Sequence, residues 1–179
     1  MGDAIFLKFG QSIQSNRRIW YKNLQTLGVG GNAATLLAVA TSGPHKGVPF
    51  AIKIFRRLSK PERRESFLNE ARFLKSCDHP SIMRVYDDGI FYDEHPFVVA
   101  EYLPNTLRSV IRAATASTPA KASYTLQLLS ALAYLETLEK PVIHRDIKPQ
   151  NIFIKGYSCV LGDFGLMKPV ASNANEDME

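Results

Sequence analysis

Alternating apolar and polar positions mark the first hundred residues, and helical spacing takes over after them. Three β-rich runs, WYKNLQTLG at 20–28, TLLAVAT at 35–41 and PFAIKIF at 49–55, are separated by the glycine-dense GVGGN and the turn-rich SGPHKG, a pattern that predicts an antiparallel meander. Within FAIKIF, residues 50–55, Phe50, Ile52 and Ile54 fall on one face, while Lys53 shares the other with Ala51 and Phe55. LSKPERRESFLNEARFLKSCDHP then predicts a helix: Ser59 and Glu62 match a capping box, Pro61 suits a first turn, and Asp78-His79-Pro80 supplies the stop. Two more strand-like runs follow, at Met83–Tyr86 and at FVVAEYL. NTLRSVIRAA and SYTLQLLSALAYLETLE have helical periodicity, the second with Tyr124, Leu128, Leu132 and Leu135 on one face. The chain changes character near Leu103, shows no internal repeat, and has one low-complexity piece, the tail ASNANEDME.

At 179 residues and 45% hydrophobic, the chain is long enough for one ordinary domain or two small lobes, and is neither fibrous nor disordered. The net charge of +5 comes from clusters at Arg17, Arg18 and Lys22 and at Arg56, Arg57, Lys60, Arg63 and Arg64. Such clusters read as solvated faces, so no nucleic-acid partner is expected. Cys77 and Cys159 stand far apart without metal-ligand spacing, which argues against a disulfide framework or zinc site and for a reducing setting. No apolar stretch reaches the ~20 residues of a membrane-spanning helix. MGDAIFLKFG lacks the marks of a secretory signal, and Phe6 stands where a myristoylation signal needs Ser or Thr. A soluble, cytoplasmic protein with no membrane partner is the expectation.

Lysine is rarely buried without a partner, so Lys53 in an apolar strand needs explaining. In the predicted helix Phe67, Ala71 and Leu74 form an apolar stripe with Glu70 on its edge. Carboxylate and ammonium are thus aimed into one interface, where a hydrogen-bonded pair offsets much of the desolvation that each would suffer alone. The pair is open to two readings, a purely structural salt bridge or a cation held ready for chemistry. GVGGN is equally ambiguous by itself: a hairpin turn, or backbone amides left bare for an anion.

HRDIKPQN at 144–151 and GDFG at 162–165 change the balance, because with them the chain resembles the eukaryotic-type serine/threonine protein kinases. The resemblance implies an α+β fold, with an antiparallel-sheet N-lobe and one helix over residues 1–102 and the first part of a mainly helical C-lobe over 103–179. It implies ATP and Mg2+ (or Mn2+) as cofactors and a protein substrate. Asp146 matches the catalytic-loop base, and Asn151 and Asp163 the metal ligands. Lys53 matches the strand lysine on the α- and β-phosphates, and Glu70 its helical partner. Lys148 matches the lysine that accompanies serine/threonine specificity. Gly28, Val29, Gly30 and Gly31 match the phosphate loop, Ala51 and Phe153 the residues on either side of adenine, Glu101 to Leu103 the hinge, and Ala100 the residue guarding the pocket behind it. Val85, Leu74, Phe164 and His144 would stack into a hydrophobic column.

The chemistry agrees with those assignments. Phosphoryl transfer concentrates negative charge, so it needs hard oxygen ligands for a divalent metal, a fixed cation on the phosphates and an acceptor for the nucleophile's proton. Two departures stand out. Ala33 replaces the third glycine of G-x-G-x-x-G and Thr35 stands where valine often covers adenine; alanine fits where φ is negative. LMKPVASNANEDME contains no A-P-E motif, offers only Ser172 as a phosphate acceptor, and ends 14 residues after Gly165. The expectation is therefore a domain truncated after the DFG motif, poorly active alone and open to self-association through its exposed helical face. The alternative is a non-catalytic nucleotide-binding or regulatory module.

Overall fold

A six-stranded sheet is built from the β-rich part of the chain, as seen in the computed structural model, which describes residues 7–57 and 59–170. The start through Phe6, Leu58, and the tail ASNANEDME with Ser172 lie outside the described residues. The strands are β1 (Ser12–Gln14), β2 (Trp20–Val29), β3 (Ala33–Ala40) and β4 (Pro49–Phe55), followed by helix α1 (Pro61–Ser76) and strands β5 (Val85–Phe91) and β6 (His95–Glu101). Their order is β1-β2-β3-β4-β6-β5, and every pairing is antiparallel. Side chains alternate as a half-buried sheet requires: Ala34, Leu36, Ala38 and Ala40 of β3 are buried, and opposite them lie Phe50, Ile52 and Ile54 of β4. A second apolar cluster, Phe55, Phe67, Ala71 and Val98 with Val85 against it, docks α1 on the sheet.

The sheet curls until its two outermost strands are tied together. The Asn16 amide donates to the Asp88 carbonyl at 2.8 Å, and the Ser15 hydroxyl donates to the buried Asp87 carboxylate at 2.5 Å. Tyr21, also hydrogen-bonded to Asp87, has its phenol pushed up to about 12, first by burial and then by that carboxylate. Gly89 is required here, since a Cβ would lie 2.5 Å from the Phe97 ring and 3.3 Å from the Ser15 Cα.

Three details differ from the sequence expectation. The capping box does not form: the N-cap of α1 is Lys60, without a side-chain cap, and Pro61 opens the helix. Proline presets φ for a first turn and has no N–H to satisfy there, which makes the cap dispensable. Strand β5 starts at Val85, two residues after the expected Met83, and continues to Phe91. It pairs into a hairpin whose turn residues Tyr92 and Asp93 have positive φ. Strand β1 went unpredicted because three residues with one apolar position carry no periodicity.

Contacts divide the chain into two units. One runs to Asp78 and takes in Met83–Pro104; the other holds His79–Ile82 and the described chain from Asn105 on. The second unit contains β7 (Asn105–Thr106), α2 (Leu107–Ala113), α3 (Thr118–Thr137), β8 (Val142–Ile143), β9 (Ile152–Lys155), β10 (Ser158–Leu161) and β11 (Lys168–Pro169). Thr106 and Ser109 cap α2 reciprocally, and Ser117 caps α3. Helix α3 buries Ala120, Tyr124, Ala131 and Leu135. It is pinned to the β9–β10 hairpin by Tyr124 Oη to the Gly156 carbonyl (3.2 Å) and by the Cys159 amide to Gln127 Oε1 (2.8 Å). His79–Ile82 joins this unit through His79 to Ser130 Oγ (3.1 Å) and the Leu161 amide to the Ser81 carbonyl (2.8 Å).

Candidate active site

In the first unit the glycine turn lies at the end of the β2–β3 hairpin. Gly28 and Val29 are still in β2, and the Gly30 amide donates to the Ala33 carbonyl at 2.8 Å, leaving Gly31 and Asn32 as the tip. None of Gly28, Gly30 and Gly31 has positive φ. A Cβ at Gly28 or Gly31 would meet nothing within 4 Å, and one at Gly30 only the Ala33 carbonyl at 3.5 Å. Neither backbone conformation nor packing within the unit therefore demands glycine. Gly28 borders an irregularity in the β2–β3 register, and the bare backbone of the turn is compatible with close approach of a ligand.

Lys53 Nζ donates to both Glu70 oxygens, at 2.9 and 3.1 Å, with Glu70 buried and the lysine side chain 29% exposed. The pair rests on Phe67, whose ring centroid lies 6.0 Å from Nζ. Lys53 sits opposite Thr35 on β3 and Val98 on β6, so the ladder on both sides fixes its Cα. Ala51 is half-buried opposite Leu37 and Ala100, and Glu101 lies opposite Phe50, its amide committed to the Arg84 carbonyl at 3.2 Å. Leu103 follows on the half-buried connection out of β6.

The second unit collects the polar residues of HRDIKPQN around one carboxylate. Asp146 Oδ2 accepts from Lys148 Nζ at 2.7 Å and from Asn151 Nδ2 at 2.9 Å. The Lys148 bond, aided by Asn151 and working against desolvation, holds the Asp146 carboxyl below its ordinary value. Asn151 also donates to the Asp146 carbonyl at 3.0 Å, and its own carbonyl accepts from the Gly162 amide at 2.9 Å. The loop is thereby tied to the segment carrying Asp163. With Nδ2 committed, Oδ1 is the atom of Asn151 suited to a cation.

His144, buried, accepts from the Asp146 amide at Nδ1 (3.2 Å), so its proton lies on Nε2, which donates to the Gly162 carbonyl (3.1 Å). Its ring meets the fully buried Phe164 edge-on at 4.4 Å. Phe153 is half-buried on β9. Asp163 is exposed and, like Arg145, has positive φ. Asp tolerates that region better than most residues, and such strain collects at functional sites. No group of three or more His, Cys, Asp or Glu suited to a metal occurs among the described residues. Mg2+ that takes most of its oxygens from phosphate and water needs only one or two from protein, and Asp163 with Asn151 fits that demand.

The model of the protein kinase domain matches residues 21–179. The chain belongs to the protein kinase family. A probable serine/threonine-protein kinase of Dictyostelium discoideum is 34% identical over 174 residues, covering 94% of this chain and 10% of that protein. Human mitogen-activated protein kinase 4 is 29% identical over 181 residues, covering 94% of this chain and 29% of the relative. The chain thus spans less than a third of the length of these relatives. The α+β architecture with its antiparallel N-terminal sheet is the kinase fold. The kinase motifs announced Lys53 with Glu70 and Asp146 with Lys148 and Asn151, and the structure brings each set together. The reciprocal ties of Asn151, His144 and Gly162 carry no sequence signal beyond the motif itself. Arg63, assigned above to a solvated cluster, is exposed as expected and also reaches Asn32 of the glycine turn at 2.6 Å.

Proposed function

We propose that this chain carries the nucleotide-binding and catalytic-loop elements of an ATP-dependent serine/threonine protein kinase. The observation that carries the reading is the Asp146 carboxylate, ordered from one side by Lys148 and Asn151, whose hydrogen bonds favour its ionised form. In that role Asp146 takes the O–H of a substrate serine or threonine as a hydrogen-bond donor and orients the oxygen. That oxygen bonds to the γ-phosphorus as the bond to the β–γ bridging oxygen breaks, ADP leaves, and the hydroxyl proton passes to the carboxylate. Lys148 stabilises the phosphoryl charge beside it, an arrangement suited to an aliphatic hydroxyl acceptor.

The first unit supplies the fixed positive end. Lys53, oriented by Glu70, binds the α- and β-phosphates, and the backbone of Gly28, Val29, Gly30 and Gly31 covers them. Within this unit Ala51 lies against one face of adenine, Glu101 and Leu103 give it backbone partners, and Ala100 leaves the space behind it open; Phe153, in the second unit, keeps the adenine-contacting role that the family resemblance implies. Asp163 and Asn151 Oδ1 would hold Mg2+ or Mn2+, which would supply positive charge against the phosphates. A reducing, cytoplasmic setting is part of this reading; Cys77 and Cys159 are free thiols, and no described helix is long and apolar enough to cross a membrane. The exposed Ile111 of α2, which lines a cavity of about 440 Å³ between α2, α3 and β9, and the exposed Leu126 and Leu129 of α3 support self-association through the helical part of the second unit; sedimentation of Leu129→Glu against wild type checks it.

Titration of an ATP analogue with and without Mg2+ tests the main reading. Wild type should bind more tightly with metal, and Asp163→Asn, which removes the charge and keeps the shape, should lose most of that dependence. Equal metal dependence in the two proteins would count against the assignment. A chain that binds Mg-ATP yet transfers no phosphate to a generic basic substrate would favour the regulatory-module alternative.

A further inference from the structure

Asn32 at the tip of the glycine turn is held twice. Its carbonyl accepts from the Arg56 amide at 2.8 Å, which carries the β3–β4 ladder one rung past the Ala33–Phe55 pair. Its side-chain Oδ1 accepts from Arg63 Nη1 at 2.6 Å, a short bond in keeping with a charged donor. Arg63 is in the first turn of α1. Glu70 lies seven residues further along the same helix, about two turns and about 10.5 Å of rise, so both project from nearly the same face. One face of α1 therefore holds the strand lysine at one end and the glycine turn at the other.

We propose that Arg63 is a positioning residue for nucleotide binding, acting as a latch that fixes the tip of the glycine turn to α1 through Asn32. The proposal rests on the kinase reading of that turn. Gly28 and Gly31 have open space over their Cα atoms and Gly30 meets only the Ala33 carbonyl, so no packing of its own fixes the tip beyond the backbone bonds, and a tip free to sample many conformations pays an ordering cost when phosphate binds. The latch lowers that cost beforehand. It also couples two functions of α1, because a displacement of the helix that strains Glu70 against Lys53 strains Arg63 against Asn32 as well.

The test is a double-mutant cycle on the full chain with Asn32→Ala, Arg63→Ala and both together, and Arg63→Lys as the conservative variant. In nucleotide-free protein, hydrogen exchange of the amides from 28 to 33 should accelerate about three- to tenfold in each single variant, no further in the double, and less in Arg63→Lys. The affinity for an ATP analogue with Mg2+ should weaken by about the same factor. In turnover the effect should fall on the KM for ATP, with kcat within about twofold of wild type. Unchanged exchange in the turn, additive effects in the double variant, or a loss confined to kcat would overturn the latch. Exchange that responds as expected in a protein that binds no nucleotide would support the latch and overturn the kinase reading of the turn instead.

Discussion

Lys53 is held by both oxygens of a buried Glu70, and the two residues illustrate how little freedom a functional cation has once placed in a strand. Lys53→Met keeps the length and apolar stem but leaves the Glu70 carboxylate without its cation. Because the lysine is nearly a third exposed, the expected loss is about 1–3 kcal/mol rather than the larger cost of a fully buried pair. Chemical denaturation should register that loss in a chain that still folds, and any ATP turnover should fall on the order of a hundredfold or more. Unchanged turnover would remove Lys53 from the phosphate site. Asp146 makes a separate prediction through pH. A carboxyl whose pKa is lowered in the folded state stays ionised until the pH falls below its ordinary range, so the acid limb of a pH–rate profile should lie low. Lys148→Ala removes the main cause of the lowering; the pKa then returns upward and the acid limb moves to higher pH. A limb that does not move would separate Lys148 from the ionisation of Asp146.

At the scale of elements, the meander β2–β3–β4 was legible because alternation survives wherever one face of a strand is buried, as on β3 and β4. The apolar stripe of α1 was legible for the same reason at helical spacing: Phe67, Glu70, Ala71 and Leu74 are its buried residues. The edges were not. Strand β1 pairs locally with β2 but is too short to show a period, and the chain just beyond it is fixed where Ser15 and Asn16 find Asp87 and Asp88 across the curled sheet, partners more than seventy residues away in sequence. Gly89 belongs to that closure. Gly89→Ala drives a Cβ into the Phe97 ring and against Ser15, and overpacking of this kind costs about 1–3 kcal/mol. The check is a denaturation midpoint that falls at constant slope, together with faster amide exchange in β1 and β5. Gly31→Ala, with open space around it, should leave the unfolding free energy within about 1 kcal/mol of wild type.

For the molecule as a whole, each of the two units contains one cysteine, Cys77 in the first and Cys159 in the second. Burial pushes the Cys77 thiol up to about 11 and raises Cys159 as well. Both thiols are then protonated at pH 8, and since the thiolate is the reactive form, alkylation of the native chain should be slow. Cys159, fully buried and tied to the Tyr124 carbonyl at 3.3 Å, should react only when its unit opens, and the half-buried Cys77 earlier. Mass-spectrometric labelling along a denaturant series reads the opening of each unit from its own cysteine. Rapid labelling of Cys159 in the native protein would contradict the packing of α3 on the β9–β10 hairpin.

By itself the sequence determined which residue types met the demands of phosphoryl transfer and the periodicities that place them: the lysine on a strand, its carboxylate on a helix, the HRDIKPQN loop and the GDFG segment. Those are local properties, written in spacing of two and of 3.6 and in a motif whose members lie within a few residues of one another. The tertiary structure alone decided the rest. It closed the sheet through Asp87, moved the N-cap of α1 to Lys60, and gave Arg63, a member of the basic cluster, Asn32 as its partner. Each of these depends on a contact between residues far apart in sequence or on a competition between neighbouring caps, and hydrophobic periodicity carries no information about either.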